Sequence, residues 1–461
     1  MKTVKFLMPK SLLIVLVYSV GLIACQKSLS SENQKVPDPN SLSAQKENGH
    51  LKQAKTYSSE VITKWLNMQL DMMRVPLPPG TGSQNAERSI SYLGITAYEA
   101  VLPGMPAYQS LSGQLTDFPK MPETEPGKAY HWAAAANAAL ASINRKLFPT
   151  TSNANKDAMD QLEGMLQSKY AAETDPATLE RSINFGREVA NRVGIWAATD
   201  GFANINPPYV PPAGPGLWVP TSPAPAPIVN PYASQRRLLV PGVANGTALE
   251  PPPPYSEVPG SAFWNMVKDV YDWSFITTAD QKAAAVYNRD APGYPGGGHF
   301  ISILSQVIEK VQPKLDAAAI ACVKMGLAQS DATNICFSNK YQFNLVRPVT
   351  YIRNVMGHTS WSTYIPTPNH PEFPSGHATI NSSVMTMMEN VFGENFQMTL
   401  HTYDYLGLPP RSFNSFQQLS IEMANSRVWG GIHYQATCDK SLAQGKRVAE
   451  NILNTVKFLK E

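Results

Sequence analysis

Apolar residues recur at three- and four-residue intervals through most of the chain from about residue 60. Val61, Trp65, Met68, Leu70 and Met72 form one such stripe. Residues 87–101 and 129–147 are alanine-rich with apolar positions at helical spacing. The pattern continues over 153–171 and over 176–198, the second through Leu179, Ile183, Val189, Val193 and Trp196. It returns at 261–273, 279–288, 298–312 and 314–329, and again near 332–346, 376–392, 414–428 and 441–459. Alternation with period two is scarce. The spacing predicts a mainly α protein in which helices pack as bundles.

Two stretches break the pattern. Between Asn206 and Gly260 lie 16 of the chain's 39 prolines, including the run Pro251 to Pro254. Helix cannot persist there, because each proline lacks a donor and clashes with the preceding turn. The same stretch carries Tyr209, Trp218, Tyr232, Leu238, Leu239 and Val240, which are costly to leave in water. A long ordered loop covering one domain is therefore expected, rather than a linker between two. The other break is at the N-terminus. Lys2, Lys5 and Lys10 precede an apolar run from Ser11 to Ala24 that is short for a bilayer span. Residues 1–24 read as an export signal, and Leu22-Ile-Ala-Cys25 resembles the lipobox of bacterial lipoproteins. That resemblance implies lipidation at Cys25 and a membrane anchor in the cell envelope. Gln26, which is not acidic, favours the outer membrane, with the domain periplasmic or surface-exposed. Residues 25–58 are then a flexible tether and 59–461 the folded domain, with 260–461 as its chemical core.

Composition sharpens this picture. The 461 residues are 43% apolar and 16% charged, too apolar for a disordered chain. The formal charge of +3 is no basis for nucleic-acid binding. Removing residues 1–24 takes three lysines and no acids, which leaves 35 basic and 35 acidic side chains. Four cysteines exclude a disulfide-stapled scaffold. Cys322 and Cys336 are near enough in sequence for a bridge to be considered.

Candidate chemistry is concentrated in three short motifs. In Lys340-Tyr-Gln-Phe-Asn-Leu-Val-Arg347-Pro348, the two bases are expected on one helix face, about 10 Å apart along the axis, with the helix ending at Arg347. Their side chains can converge on one multivalent anion. In Pro374-Ser375-Gly376-His377, Ser375 can cap a helix whose N-terminus offers N–H groups to an anion, and His377 can exchange protons with it. In Ser426-Arg427-Val-Trp-Gly430-Gly431-Ile-His433, the glycine pair can turn His433 back towards whatever Arg427 holds.

In this order and spacing the motifs resemble the signature of the superfamily that joins type 2 phosphatidic acid phosphatases, class A bacterial acid phosphatases and vanadium-dependent haloperoxidases. Ten defining positions agree. The resemblance implies a tetrahedral oxyanion bound by Lys340, Arg347, Ser375, the Gly376 N–H and Arg427. It implies His433 as the axial partner, which ligates vanadium in a peroxidase or forms a phosphohistidine in a phosphatase. It makes His377 the acid–base group. Chain length and the run His370-Pro-Glu-Phe-Pro-Ser-Gly-His377 resemble the haloperoxidase branch, which implies vanadate as cofactor and hydrogen peroxide and halide as substrates. His370 stands where algal bromoperoxidases carry histidine, which implies tuning towards bromide or iodide. The alternative is a periplasmic acid phosphatase with no cofactor, acting on a phosphomonoester. Haloperoxidases are often dimers or larger, so the resemblance leaves a homo-oligomer open. Many members carry an aspartate four residues after the last histidine; here that position is Thr437, so either Asp439 or another carboxylate orients His433.

The remaining candidates are weaker. His131, His299, His358 and His401 lack zinc-ligand spacing, and Gly293–His299 reads as a loop near the site mouth. Phe337 and Trp429 can exclude water from the anion, although a core role is favoured for both.

Overall fold

The structure, a computed structural model, describes residues 52–74, 86–221, 227–289, 293–294 and 297–461. The export signal, Cys25 and most of the tether lie outside these. The helices are α1 (Glu60–Met73), α2 (Ala86–Val101), α3 (Trp132–Leu147), α4 (Asn153–Ala171), α5 (Pro176–Ala197), α6 (Ala262–Ile276) and α7 (Ala279–Tyr287). They continue as α8 (Gly298–Val311), α9 (Leu315–Phe343), α10 (Pro348–Asn354), α11 (Gly376–Phe392), α12 (Phe416–Trp429) and α13 (Gln435–Thr455). Among the described residues the only sheet is an antiparallel pair, β1 (Met398–Leu400) with β2 (Arg411–Phe413), with Thr399 opposite Ser412. The described residues belong to one compact unit.

The long helix α9 is the axis of the fold. Its first half packs on α2, where Gly326 lets the backbones touch: a Cβ there would meet the Ile90 carbonyl at 2.8 Å. The Ser91 hydroxyl donates to the Gly326 carbonyl at 2.7 Å. Its second half packs on α11, and α11 in turn on α13. A Cβ at Gly445 would lie 2.0 Å from the Thr379 carbonyl, so only glycine allows α13 this close to the helix that begins at Ser375. One apolar core runs from Ala54 to Phe458 through both helical halves. A second, smaller core of Phe263, Val267, Leu345, Val346, Tyr351, Ile352, Phe373 and Tyr434 packs beneath the motif residues.

Three expectations need correction. Residues 52–58 are not free tether: Ala54 and Tyr57 are buried. The Tyr57 ring lies 4.7 Å from that of His131, and its carbonyl accepts from Leu315 N. The helices expected at 314–329 and 332–346 are one helix, because Asp331 is buried and bonded to the proline-rich stretch rather than placed in an exposed turn. That helix stops at Phe343 and not at Arg347, since Asn344 takes a left-handed conformation (φ 45°). Pro348 opens the next helix instead of ending the last. Lys340 and Arg347 therefore do not share a helix face.

The proline-rich stretch is held by main-chain bonds to the segments that follow α9. Trp218 N donates to Asn344 O at 2.7 Å, Val346 N to Gly216 O at 2.9 Å, and Val229 N to Asn369 O at 3.2 Å. Trp218 is fully buried. Farther along, the Asp331 carboxylate of α9 accepts from Leu239 N at 2.7 Å and Val240 N at 3.0 Å. Burial pushes Asp331 up to about 7, against the pull of these two donors. Asp331→Ala leaves two buried N–H groups without their acceptor, so a loss of about 2–4 kcal/mol is expected on chemical denaturation. It should be accompanied by faster proteolysis within 206–260. An unchanged midpoint would contradict the anchoring role.

Candidate functional site

The three motifs meet in one place. Lys340, on the last turn of α9, Arg347, at the N-cap of α10, and Arg427, on the last turn of α12, are all buried. Each of the three donates to main-chain carbonyls. Lys340 Nζ donates to the carbonyls of Pro371 at 2.9 Å and Glu372 at 3.1 Å. Arg347 Nε donates to His370 O at 2.9 Å and Nη1 to Ile432 O at 2.8 Å. Arg427 Nη1 donates to Asn288 O at 3.0 Å. These acceptors are carbonyls, which position the cations without neutralising them. Burial and the neighbouring Arg347 bring Lys340 down to about 7, and burial brings Arg347 down to about 10.

The second motif supplies a helix end. Ser375 is the N-cap of α11, its hydroxyl accepting from Ala378 N at 3.4 Å, and Gly376 and His377 are the first two helical residues. Ser375 N donates to Ser441 Oγ of α13 at 2.8 Å, which fixes the cap. A Cβ on Gly376 would sit 3.9 Å from Lys340 Cε, so the bare helix start lies directly beside the lysine. His377 is half-buried, in contrast to its buried neighbours.

The third motif turns as expected. Gly431 (φ 78°) reverses the chain after α12, and Tyr364 N and Ile365 N both donate to Gly430 O. The reversal carries His433 back until its Nε2 lies 3.3 Å from Arg347 Nη1. A guanidinium can only donate, so Nε2 is the lone-pair nitrogen and the proton sits on Nδ1. His433 is depressed well below the usual histidine range by burial, then by Arg347, Lys340 and Arg427.

The group that orients His433 is Glu372. Its Oε1 lies 2.8 Å from His433 Nδ1 and accepts from Tyr434 N at 3.0 Å. Its Oε2 accepts from the Thr437 hydroxyl at 2.9 Å. Thr437, where an aspartate was looked for, thus supports the carboxylate rather than replacing it. Asp439 points elsewhere and accepts from Gln435. Burial pushes Glu372 up to about 7, opposed by the Tyr434 N–H and the Arg347 and Lys340 charges. The residue was missed because the acid precedes its histidine by 61 positions. Its place inside the His370–His377 run was the one available signal.

His370 is drawn into the same network. Its Nδ1 is 2.9 Å from Arg347 Nη2 and 3.1 Å from Pro371 O. The guanidinium can only donate, so Nδ1 accepts from it, the Pro371 approach is not a hydrogen bond, and the proton sits on Nε2. Phe337 packs edge-on against its ring at 5.2 Å, and so belongs to the wall of the site. Trp429 packs instead with Ile365 and Ile432 behind the turn. Cys336 and Cys438 lie behind Ser375 and Pro374, and Cys322, Cys336 and Cys438 are all free thiols, which excludes the Cys322–Cys336 bridge. His131 caps α3, His358 stacks on Tyr271 and His401 pairs with Asp404. Among the described residues no group of three His, Cys, Asp or Glu side chains could hold a metal ion.

Residues 321–461 match the family model described as the VCPO second helical-bundle domain. No curated protein sequence matches the chain. Among solved structures, the first bacterial vanadium-dependent iodoperoxidase is 28% identical, with a TM-score of 0.78 over 88% of this chain and 98% of that one. An apo-type bacterial vanadium-dependent chloroperoxidase is 17% identical (TM-score 0.62, 82% and 96% covered). A holo-type bacterial vanadium-dependent chloroperoxidase is 18% identical (TM-score 0.60, 89% and 96% covered). These two share the fold.

Two measurements test the site. Glu372→Gln should lower orthovanadate affinity about 10- to 100-fold by calorimetry, as loss of a partner behind a ligating histidine does, with partial recovery in Glu372→Asp; unchanged affinity would remove Glu372 from the site. Phosphate binding should weaken as pH rises past about 7, where Lys340 loses its proton, and Lys340→Arg should flatten that decline. Identical pH profiles would show that Lys340 does not titrate there.

The family model over residues 321–461, which carry all three motifs, and the helical fold shared over 88% of the chain with a 28%-identical vanadium enzyme both support the vanadium haloperoxidase superfamily, in agreement with the converging Lys340, Arg347, Ser375, Arg427 and His433.

Proposed function

We propose that the protein is a vanadate-dependent haloperoxidase that oxidises bromide or iodide with hydrogen peroxide to a hypohalous acid. The observation that carries this reading is the state of His433. Its Nε2 lone pair faces a buried cationic cluster, while its Nδ1 is held by Glu372. Such a nitrogen suits an electrophilic oxyanion centre, and three cations with a helix start suit its oxygens. Vanadate fits this donor set, and when bound it supplies the Lewis-acidic centre that activates peroxide towards halide.

In this reading Lys340, Arg347, Arg427, the Ser375 hydroxyl and the Gly376 N–H would hold the oxyanion, and His433 Nε2 would ligate its centre. His377, half-buried at the helix start, would hold and deliver the proton that the overall reaction takes up. The overall reaction takes up one proton: hydrogen peroxide, halide and a proton give hypohalous acid and water. His370 keeps Arg347 in place and carries the polarity of the pocket through that contact. The similarity to an iodoperoxidase supports a readily oxidised halide. We also propose that the domain is held in the cell envelope by a lipid on Cys25.

The purified protein should brominate or iodinate an organic acceptor with hydrogen peroxide, and only after loading with orthovanadate. His377→Ala should lower kcat about 10²- to 10⁴-fold, and His433→Ala should abolish the vanadate requirement together with the activity. Phosphomonoester hydrolysis inhibited by vanadate, with no halogenation, would overturn the reading in favour of an acid phosphatase.

A further inference from the structure

The outer side of the Gly430–Gly431 turn forms one wall of a second pocket. It has a volume of about 230 Å³ and is separated from the oxyanion site by the turn itself. Gly431 lines the pocket, and the next carbonyl along, Ile432 O, already accepts from Arg347. The walls are the side chains of Trp361, Tyr364 and Trp429, with Val270 and Val428 beneath. The Trp361 ring and the main chain of Tyr364 are held by hydrogen bonds. Trp361 Nε1 donates to Ser274 Oγ at 3.2 Å, and Arg353 Nε donates to Trp361 O at 2.7 Å. Tyr364 N is bound to Gly430 O at 3.0 Å.

One cation reaches this pocket. Lys282, on α7, has its Nζ 5.7 Å from the centre of the Tyr364 ring and makes no ion pair among the described residues. The hydroxyls of Ser362 and Thr363 stand at the same opening. The chemistry is specific. Aromatic faces select a flat ring, a single ammonium selects one negative charge, and the hydroxyls add short-range donors. The volume narrows it further. An engineered apolar cavity of about 150 Å³ accommodates benzene, so about 230 Å³ suits one ring with a small substituent and excludes larger ligands.

We propose that this pocket binds a small aromatic carboxylate, with its ring between Trp361, Tyr364 and Trp429 and its carboxylate on Lys282. The site is distinct from the oxyanion cradle and does not depend on the peroxidase reading. It explains why Trp429, so near Arg427 in sequence, contributes nothing to the anion: it faces the other side of the turn.

Calorimetric titration of benzoate into the full protein tests this, with saturating phosphate present to occupy the cradle. Saturable binding is expected. Lys282→Gln should weaken it at least tenfold, and neutral benzamide should bind the unaltered protein at least tenfold more weakly than benzoate. Lys282 is partly exposed, so this substitution leaves the fold intact; Trp361→Ala should remove binding altogether. No saturable binding at millimolar benzoate, or binding that Lys282→Gln leaves within twofold, overturns the proposal.

Discussion

The structure depends on how the Arg347 guanidinium is buried. A permanent charge removed from water must have its donors matched, or the fold loses several kcal/mol. Here the matching partners come from the two other motifs. Nε and Nη2 go to the carbonyl and the ring of His370, and Nη1 to Ile432 O and His433 Nε2. One side chain thus ties the end of α9 to the turn before α11 and to the reversal after α12. The charge is satisfied but not neutralised, because its partners are dipoles and neutral rings. The surplus positive potential is left facing the point where a tetrahedral oxyanion would sit.

Much of the remaining structure keeps that geometry in place. Asn344 ends α9 early, which frees Leu345, Val346 and Arg347 to run extended beside the proline-rich stretch. That stretch bonds to Asn344 and Val346 on one flank and to Asp331 on the other, so the cover and the site are built on the same helix. Gly445 draws α13 against α11, which brings Ser441 to the amide of Ser375. Beneath, Phe373 and Tyr434 pack in the smaller core, and their chain neighbours Glu372 and His433 meet.

The α class and most helix positions were legible because amphipathic spacing is a local signal. The core chemical residues were legible because each motif is short and places its functional groups within a turn or two. What was not legible depended on distant partners. Ser330 and Asp331 looked like a break in helical texture, yet Asp331 is an interior acceptor for a loop some 90 residues away. Glu372 looked like a turn residue until His433 and Thr437 came to it. The early stop at Asn344 had a local cue, since asparagine tolerates the left-handed cap, but the proline at 348 drew attention to the wrong boundary. Proline after a gap starts a helix as readily as it ends one.

His433 Nε2, positioned by Glu372, would ligate the centre of an oxyanion held by Lys340, Arg347 and Arg427. The most direct measurement is a crystal structure of the protein with orthovanadate. Vanadium is expected on His433 Nε2, with its oxygens on the three cations and on the Ser375–Gly376 helix start, and Glu372 still on Nδ1. Vanadate bound away from His433, or attached through Nδ1 with Glu372 displaced, would contradict it.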